Sequence, residues 1–193
     1  LSTKNSQMIK QAPISIYLEA NPNPNSLKFV LNRMLLPDGI SYDFTTMANA
    51  LKSPLATELL ERESITGVFF MSNFITITKT DSADWYEIRN EIKQFIIDYF
   101  TEEKPFLLEE ISDETYDESD SETVKKIKGI LDEYIRPAVE QDGGAITFHS
   151  LEDKVVKVTL QGACSGCPSS TITLKAGIEN LLKRMLPEDI ESV

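Results

Sequence analysis

Cys164 and Cys167 are the only two cysteines in a chain of 193 residues, and thiols two residues apart can reach one metal centre or one another. Zinc sites, iron–sulfur sites and dithiol redox sites all use this spacing, so by itself it is a modest signal. Zinc and iron–sulfur clusters take four protein ligands as a rule, and one chain offers two thiols. Either another molecule completes the ligand set or the pair acts as a dithiol. His149 is the only histidine; next to Phe148 at the end of an expected strand, it reads as a surface or strand-packing residue more than as a third ligand. Ser165, Ser169 and Ser170 lie close in sequence but offer hard oxygen, poorly matched to a thiolate-bound cluster.

The flanking segments place the pair on a tight loop. Before it, Val156, Val158 and Leu160 alternate with Lys157 and Thr159 as in a strand. After it, Pro168 stands where a first helical residue would, and Leu174, Ile178, Leu181, Leu182 and Met185 recur at helical spacing. Ser165 and Gly166 add little bulk, and a helix N-terminus favours thiolate over thiol. The expectation is a loop that presents its sulfurs outward.

Hydrophobic residues make up 41% and charged residues 26% of the chain, an ordinary composition for one large or two small soluble domains. No run approaches the ~18 consecutive apolar residues of a membrane span, and the start lacks a signal-like apolar core. Two cysteines are too few for a disulfide scaffold, so a reducing compartment fits better. The expected location is the bacterial cytoplasm, or a mitochondrial matrix or plastid if a presequence preceded Leu1. The net charge of −12 is concentrated in residues 101–121, where nine acidic side chains stand against Lys104 alone. Neither flanking region has an excess of cations, which argues against nucleic acid as a partner.

Residues 1–13 show no period and read as a disordered lead-in. Ile14, Ile16 and Leu18 alternate with polar neighbours, as do Leu27, Phe29 and Leu31 beyond Asn21-Pro22-Asn23-Pro24-Asn25, giving two half-buried strands joined by a stiff loop. Ser53-Pro54 caps a short helix carrying Leu55 and Leu59 and ending near Arg62. Val68–Met71 and Phe74–Thr78 form a hairpin across Ser72-Asn73. Asp84 and Glu87 have capping-box spacing ahead of a stripe of Trp85, Ile88, Ile92, Phe95, Ile96 and Tyr99. Residues 14–101 therefore read as one α/β sandwich domain.

Residues 102–120 lose every period, and Glu109, Glu110, Asp113, Glu114, Asp117, Glu118 and Asp120 make them an acidic linker. Ser119 and Glu122 then have capping-box spacing before an amphipathic helix of Val124, Ile127, Leu131, Tyr134 and Ile135 that Pro137 must end or kink. Asp142-Gly143-Gly144 is a turn, Ala145–His149 a strand, Leu151-Glu152-Asp153 a connection and Lys154–Leu160 the paired strand. Residues 121–193 thus form an α-β-β-α domain, and the fold class is α/β (α+β) with two small domains.

These residues carry a resemblance. Ile135-Arg136-Pro137-Ala138-Val139, Gln141-Asp142-Gly143-Gly144 and Gly162-Ala163-Cys164-Ser165-Gly166-Cys167-Pro168-Ser169-Ser170, continuing to Gly177-Ile178-Glu179, resemble the C-terminal domain of the NifU-like family, the Nfu-type iron–sulfur scaffold and carrier proteins. Asn21-Pro22-Asn23-Pro24-Asn25-Ser26-Leu27-Lys28-Phe29 and Ser53-Pro54-Leu55-Ala56 resemble the Nfu N-terminal domain. The resemblance implies that Cys164 and Cys167 are cluster and metal ligands, that an iron–sulfur cluster, usually four-iron four-sulfur, is shared by two subunits, and that it passes to apo-proteins after loading by upstream assembly proteins. It implies a binding and delivery protein, with no catalytic residues, rather than an enzyme, and a homodimer when loaded. A dithiol oxidoreductase, with Cys164 attacking and Cys167 resolving, and a zinc site shared by a dimer rank below it. The chain stops at Val193, where the family often continues into a last strand, so that edge is expected to be short.

Overall fold

The computed structural model describes residues 12–108 and 117–193. The lead-in as far as residue 11, and the acidic positions Glu109, Glu110, Asp113 and Glu114, lie outside the described residues. Among the described residues no helix is long and apolar enough to cross a membrane.

The first half is an antiparallel five-stranded sheet ordered β1-β2-β5-β4-β3, with β1 Ile16–Ala20, β2 Ser26–Leu31, β3 Ser41–Phe44, β4 Ile65–Met71 and β5 Phe74–Lys79. The short α1 (Met47–Ala50), α2 (Pro54–Leu60) and the long α3 (Trp85–Thr101) complete it. Ser53 caps α2, accepting the Ala56 N–H at 3.0 Å, and Asp84 caps α3, accepting the Tyr86 N–H at 2.9 Å. Alternation sends Phe29, Leu31, Val68, Phe70, Ile75 and Ile77 to one face, where they meet Leu55 and Leu59 of α2 and Ile92, Ile96 and Tyr99 of α3. Phe106 and Leu107, in the stretch expected to be linker, also pack on this core. The Phe106 carbonyl accepts from the Ser53 hydroxyl and the Pro105 carbonyl from the Tyr99 hydroxyl.

The expectation of half-buried strands fails in the sheet centre. In β2, Lys28 and Val30 are buried along with Phe29 and Leu31; β5, for which only a hairpin was expected, likewise buries Thr76 between Ile75 and Ile77. The cause is tertiary: the second domain covers the face that alternation left for solvent.

That second domain comprises α4 (Glu122–Ile130), a π-helical turn (Leu131–Ile135), α5 (Arg136–Gln141), the hairpin β6 (Gly144–Glu152) and β7 (Val155–Gly162), and α6 (Pro168–Met185). Ser121, not Ser119, caps α4 by accepting the Val124 N–H at 3.2 Å; the Ser119 N–H is held by Asp117 instead. Pro137 has no N–H for the carbonyl four residues back, and the helix widens just before it, the Arg136 N–H reaching Leu131. Tyr134 lies inside this widened turn, which displaces it from the face that regular helical spacing gave it and leaves it 51% exposed, while Ile135 packs on the core.

Leu151 and Glu152 belong to β6, not to a connection; the turn is Asp153-Lys154, both with φ in the left-handed region, the geometry that matches strand twist in a two-residue hairpin. Ile127, Leu131, Val156, Ile178, Leu182 and Leu186 form the core. Met185, expected on the buried stripe, is 43% exposed, because Leu186 stands four residues after Leu182 and takes the inward position. The last residues add a single parallel bridge, Val155 with Ser192, beside β7.

Candidate functional site

β7 ends at Gly162, whose φ of 65° turns the chain into the loop, and Gly166, at φ 77°, turns it out again. Cys167 is the N-cap residue of α6, its carbonyl accepting the Thr171 N–H at 3.0 Å and hydroxyl at 2.9 Å. The Ser165 N–H donates to the Gly162 carbonyl at 3.1 Å and closes the turn. The structure therefore brings Cys164 and Cys167 together on a strand-to-helix loop, as their spacing requires.

The sulfurs do not face outward. Cys164 is 6% and Cys167 7% exposed, and both are thiols. Cys164 packs against the start of β6 so closely that a Cβ on Gly144 would come 2.8 Å from its Sγ and 2.7 Å from the Gln161 carbonyl oxygen. The second glycine of Asp142-Gly143-Gly144 is thus a packing requirement of Cys164. Burial first, then the neighbouring Asp142 carboxylate and Cys167, push the Cys164 thiol up to about 11. At Cys164 desolvation outweighs the helix dipole that favours thiolate.

Two walls flank the loop. On one side a groove of about 390 Å³ runs between the α5 and α6 segments, lined by Ile135, Ala138, Val139, Asp142, Cys164, Ser170, Thr173, Leu174, Gly177 and Ile178. Ile172, one turn into α6, is 70% exposed. On the other side stands the first domain's sheet, across a cleft of about 110 Å³ bounded by Asp43, Phe69, Thr76, Gly162 and Ser165 among others. Thr76 donates its hydroxyl to the Gly143 carbonyl at 2.6 Å and Asn23 its amide to the Ala163 carbonyl at 3.1 Å. Burial raises the Asp43 carboxyl above its ordinary range, against the hydrogen bond it takes from the Gly162 N–H, which lowers it.

Spacing alone could not show these residues of the first domain to be neighbours of the thiols. Asn23 and Lys28 lie in the segment that resembles the Nfu N-terminal domain, but nothing local points to Thr76 or Asp43.

His149 is exposed at the β-bulge of β6, with Nδ1 3.3 Å from the Ser150 hydroxyl. Five residues of strand from Gly144 put it about 17 Å from the cysteine end of the hairpin. Among the described residues no group of three or more His, Cys, Asp or Glu is placed to hold a metal ion.

Comparison with known proteins agrees with this architecture. The family described as Scaffold protein Nfu/NifU N terminal matches residues 16–103, and the NifU-like domain matches residues 127–193. A Drosophila willistoni protein, NFU1 iron-sulfur cluster scaffold homolog, mitochondrial, is 46% identical over 180 residues, 92% of this chain and 62% of its own length. Its Drosophila persimilis counterpart is also 46% identical, over 92% of this chain and 64% of its own length. The chain therefore spans less than two thirds of the length of these relatives. A solution structure of a NifU-like protein from Saccharomyces cerevisiae is 24% identical, covers 56% of this chain and 97% of its own, and has a TM-score of 0.47. With an Nfu/NifU N-terminal domain followed by a NifU-like domain carrying the Cys164–Cys167 pair, the chain belongs to the Nfu/NifU-like family.

Proposed function

We propose that this chain is an iron–sulfur cluster scaffold and carrier: two subunits hold one cluster, of the four-iron four-sulfur type, through Cys164 and Cys167 of each, and pass it to apo-proteins. The observation that carries the reading is ligand arithmetic. The pair is the chain's whole supply of thiols, no third donor joins it among the described residues, and four ligated irons want four soft ligands. Relatives 46% identical are named iron-sulfur cluster scaffold homologs, which supports the same reading.

The burial of Cys164 weighs against a dithiol oxidoreductase, because a thiol pushed up to about 11 supplies little of the thiolate that must attack a disulfide at neutral pH. In delivery no bond is made to a small substrate. The thiols of an apo-protein replace the thiolates of one subunit at a time, each incoming thiol giving up the proton that the departing cysteine takes, so the cluster moves without being free. Upstream assembly proteins load it. The relatives are named mitochondrial, which favours the organellar alternative over a bacterial cytoplasm.

Cluster binding then draws monomers into a dimer by mass action. Iron and sulfide counted in each peak of an ultracentrifugation or light-scattering run will give one cluster per two chains. Cys164→Ser and Cys167→Ser will lose the cluster while keeping the far-ultraviolet circular dichroism of the fold. Full iron in either mutant, or a loaded monomer, overturns the assignment.

A further inference from the structure

The first domain's sheet reaches into the second domain at one place. Polar side chains of the sheet and of the loop between β1 and β2 converge on the chain that leads into the thiol loop: Thr76 on the Gly143 carbonyl at 2.6 Å, Asn23 on the Ala163 carbonyl at 3.1 Å, Asp43 on the Gly162 N–H, and Ser41 on the Gln161 side chain at 3.1 Å. Lys28 Nζ, set over the Phe74 ring, lies 3.3 and 3.4 Å from the Glu140 and Gln141 carbonyls, where α5 runs into the Asp142-Gly143-Gly144 turn. The apolar part is small, with Ala145 seated among Val30, Phe69, Met71 and Phe74. Gly143 and Gly162 lack a Cβ where the sheet comes closest: one would lie 2.8 Å from the Thr76 hydroxyl at Gly143 and 2.9 Å from the Phe69 ring at Gly162. Both glycines also have φ in the left-handed region, and a Cβ at Gly162 would meet the Gly143 carbonyl of its own domain at 2.7 Å, so the first domain adds to what these turns already require.

We infer that the N-terminal domain is an intramolecular clamp on the thiol loop: docked, it holds the loop in the conformation that buries Cys164 and Cys167, and it must release before a cluster can be shared with a second copy. This rests on the reading of the pair as cluster ligands. Cysteines that are 6% and 7% exposed cannot face a second chain's pair across a shared cluster without the loop turning outward, and the carbonyls and amide that would have to move are those the first domain holds. A contact dominated by hydrogen bonds around a few apolar side chains resembles reversible interfaces between domains, so release is within reach of a loading partner. The clamp gives the N-terminal domain a role of its own, keeping the thiols from metal and oxidant between deliveries.

The test uses the full chain, reduced and without cluster. Thr76→Val keeps a strand-favouring branched side chain and removes the donor to Gly143; Lys28→Met keeps the stem over Phe74 and removes the contacts to Glu140 and Gln141. Alkylation of Cys164 and Cys167 by N-ethylmaleimide, followed by mass spectrometry, is expected to speed up about tenfold in each variant and further in the pair. Cluster uptake from ferrous iron and sulfide should speed up with it. Trp85 fluorescence and far-ultraviolet circular dichroism verify that both domains are folded; if the double variant does not fold, Thr76→Val alone decides. Unchanged alkylation in a folded variant overturns the clamp, and if wild-type protein still takes up a cluster the scaffold reading stands without it. Faster alkylation with no uptake by any form, wild type included, supports the clamp and overturns the scaffold reading.

Discussion

The two halves of this chain bury their side chains by different means. The first domain closes a five-stranded sheet with α2 and α3, and Phe29, Leu55, Leu59, Ile75, Ile92 and Ile96 are fully enclosed by its own elements. The second has only a hairpin. Its helices seal one face around Ile127, Val156, Ile178 and Leu182, while Ala145 and the Gly143 to Ala163 end are sealed by the first domain. Two strands cannot screen both of their faces, and the end left open is the one that carries the thiols. The thiol loop is therefore positioned at the junction between domains and not inside either core.

The largest expected effect separates the two cores. Leu182→Ala and Ile96→Ala each remove a buried side chain, at about 3 kcal/mol apiece. The single tryptophan, Trp85, packs on the first core near Phe29, so its fluorescence reports that domain, whereas circular dichroism reports both. Urea titrations of Leu182→Ala should show the dichroism transition moving and the Trp85 transition staying, whereas Ile96→Ala should move both. A Trp85 transition that moves in Leu182→Ala would make the two halves one cooperative unit and erase the distinction.

A smaller effect tests the loop's support. Gly144→Ala forces a methyl against Cys164 Sγ and the Gln161 carbonyl, an overpacking of about 1–3 kcal/mol. The second domain's transition should fall by that amount and both thiols should alkylate faster. An unchanged melt would show that Cys164 has room to move and that its burial is loosely held.

The smallest concerns pH. The fold holds Cys164 as the neutral thiol, with a pKa of about 11 against an ordinary 9.0. Its contribution to stability is complete below pH 9 and is lost as pH rises toward 11, because the unfolded chain ionises first. The dichroism melt of wild-type protein should drop more across that window than that of Cys164→Ser, whose hydroxyl does not titrate there. Equal slopes would mean that Cys164 is solvated, and the junction would no longer be what buries it.

Much of the fold is legible in order along the chain. The hairpin at Ser72-Asn73, the caps at Ser53 and Asp84, the stripe of α3 and the strand-loop-helix frame of Cys164 and Cys167 follow from periods of two and 3.6 and from local hydrogen bonding. Smaller errors also had local causes. Ser121 outcompeted Ser119 as a cap, and the π-turn ahead of Pro137 carried Tyr134 off its face.

By itself the sequence determined that two cysteines share one loop between a strand and a helix, and that two domains of mixed helix and strand flank an acidic tract. Those properties depend on neighbours in sequence, through side-chain chemistry, alternation and capping. Which way the sulfurs face was decided by tertiary structure alone. Lys28 reads as solvent-facing because alternation describes one sheet at a time, and the partners of Lys28 and Thr76, Glu140, Gln141 and Gly143, lie more than sixty residues away. Likewise, the helix N-terminus argued for an exposed thiolate at Cys164, but the desolvation that raised its pKa comes from chain packed around it in three dimensions, which no spacing along the sequence records.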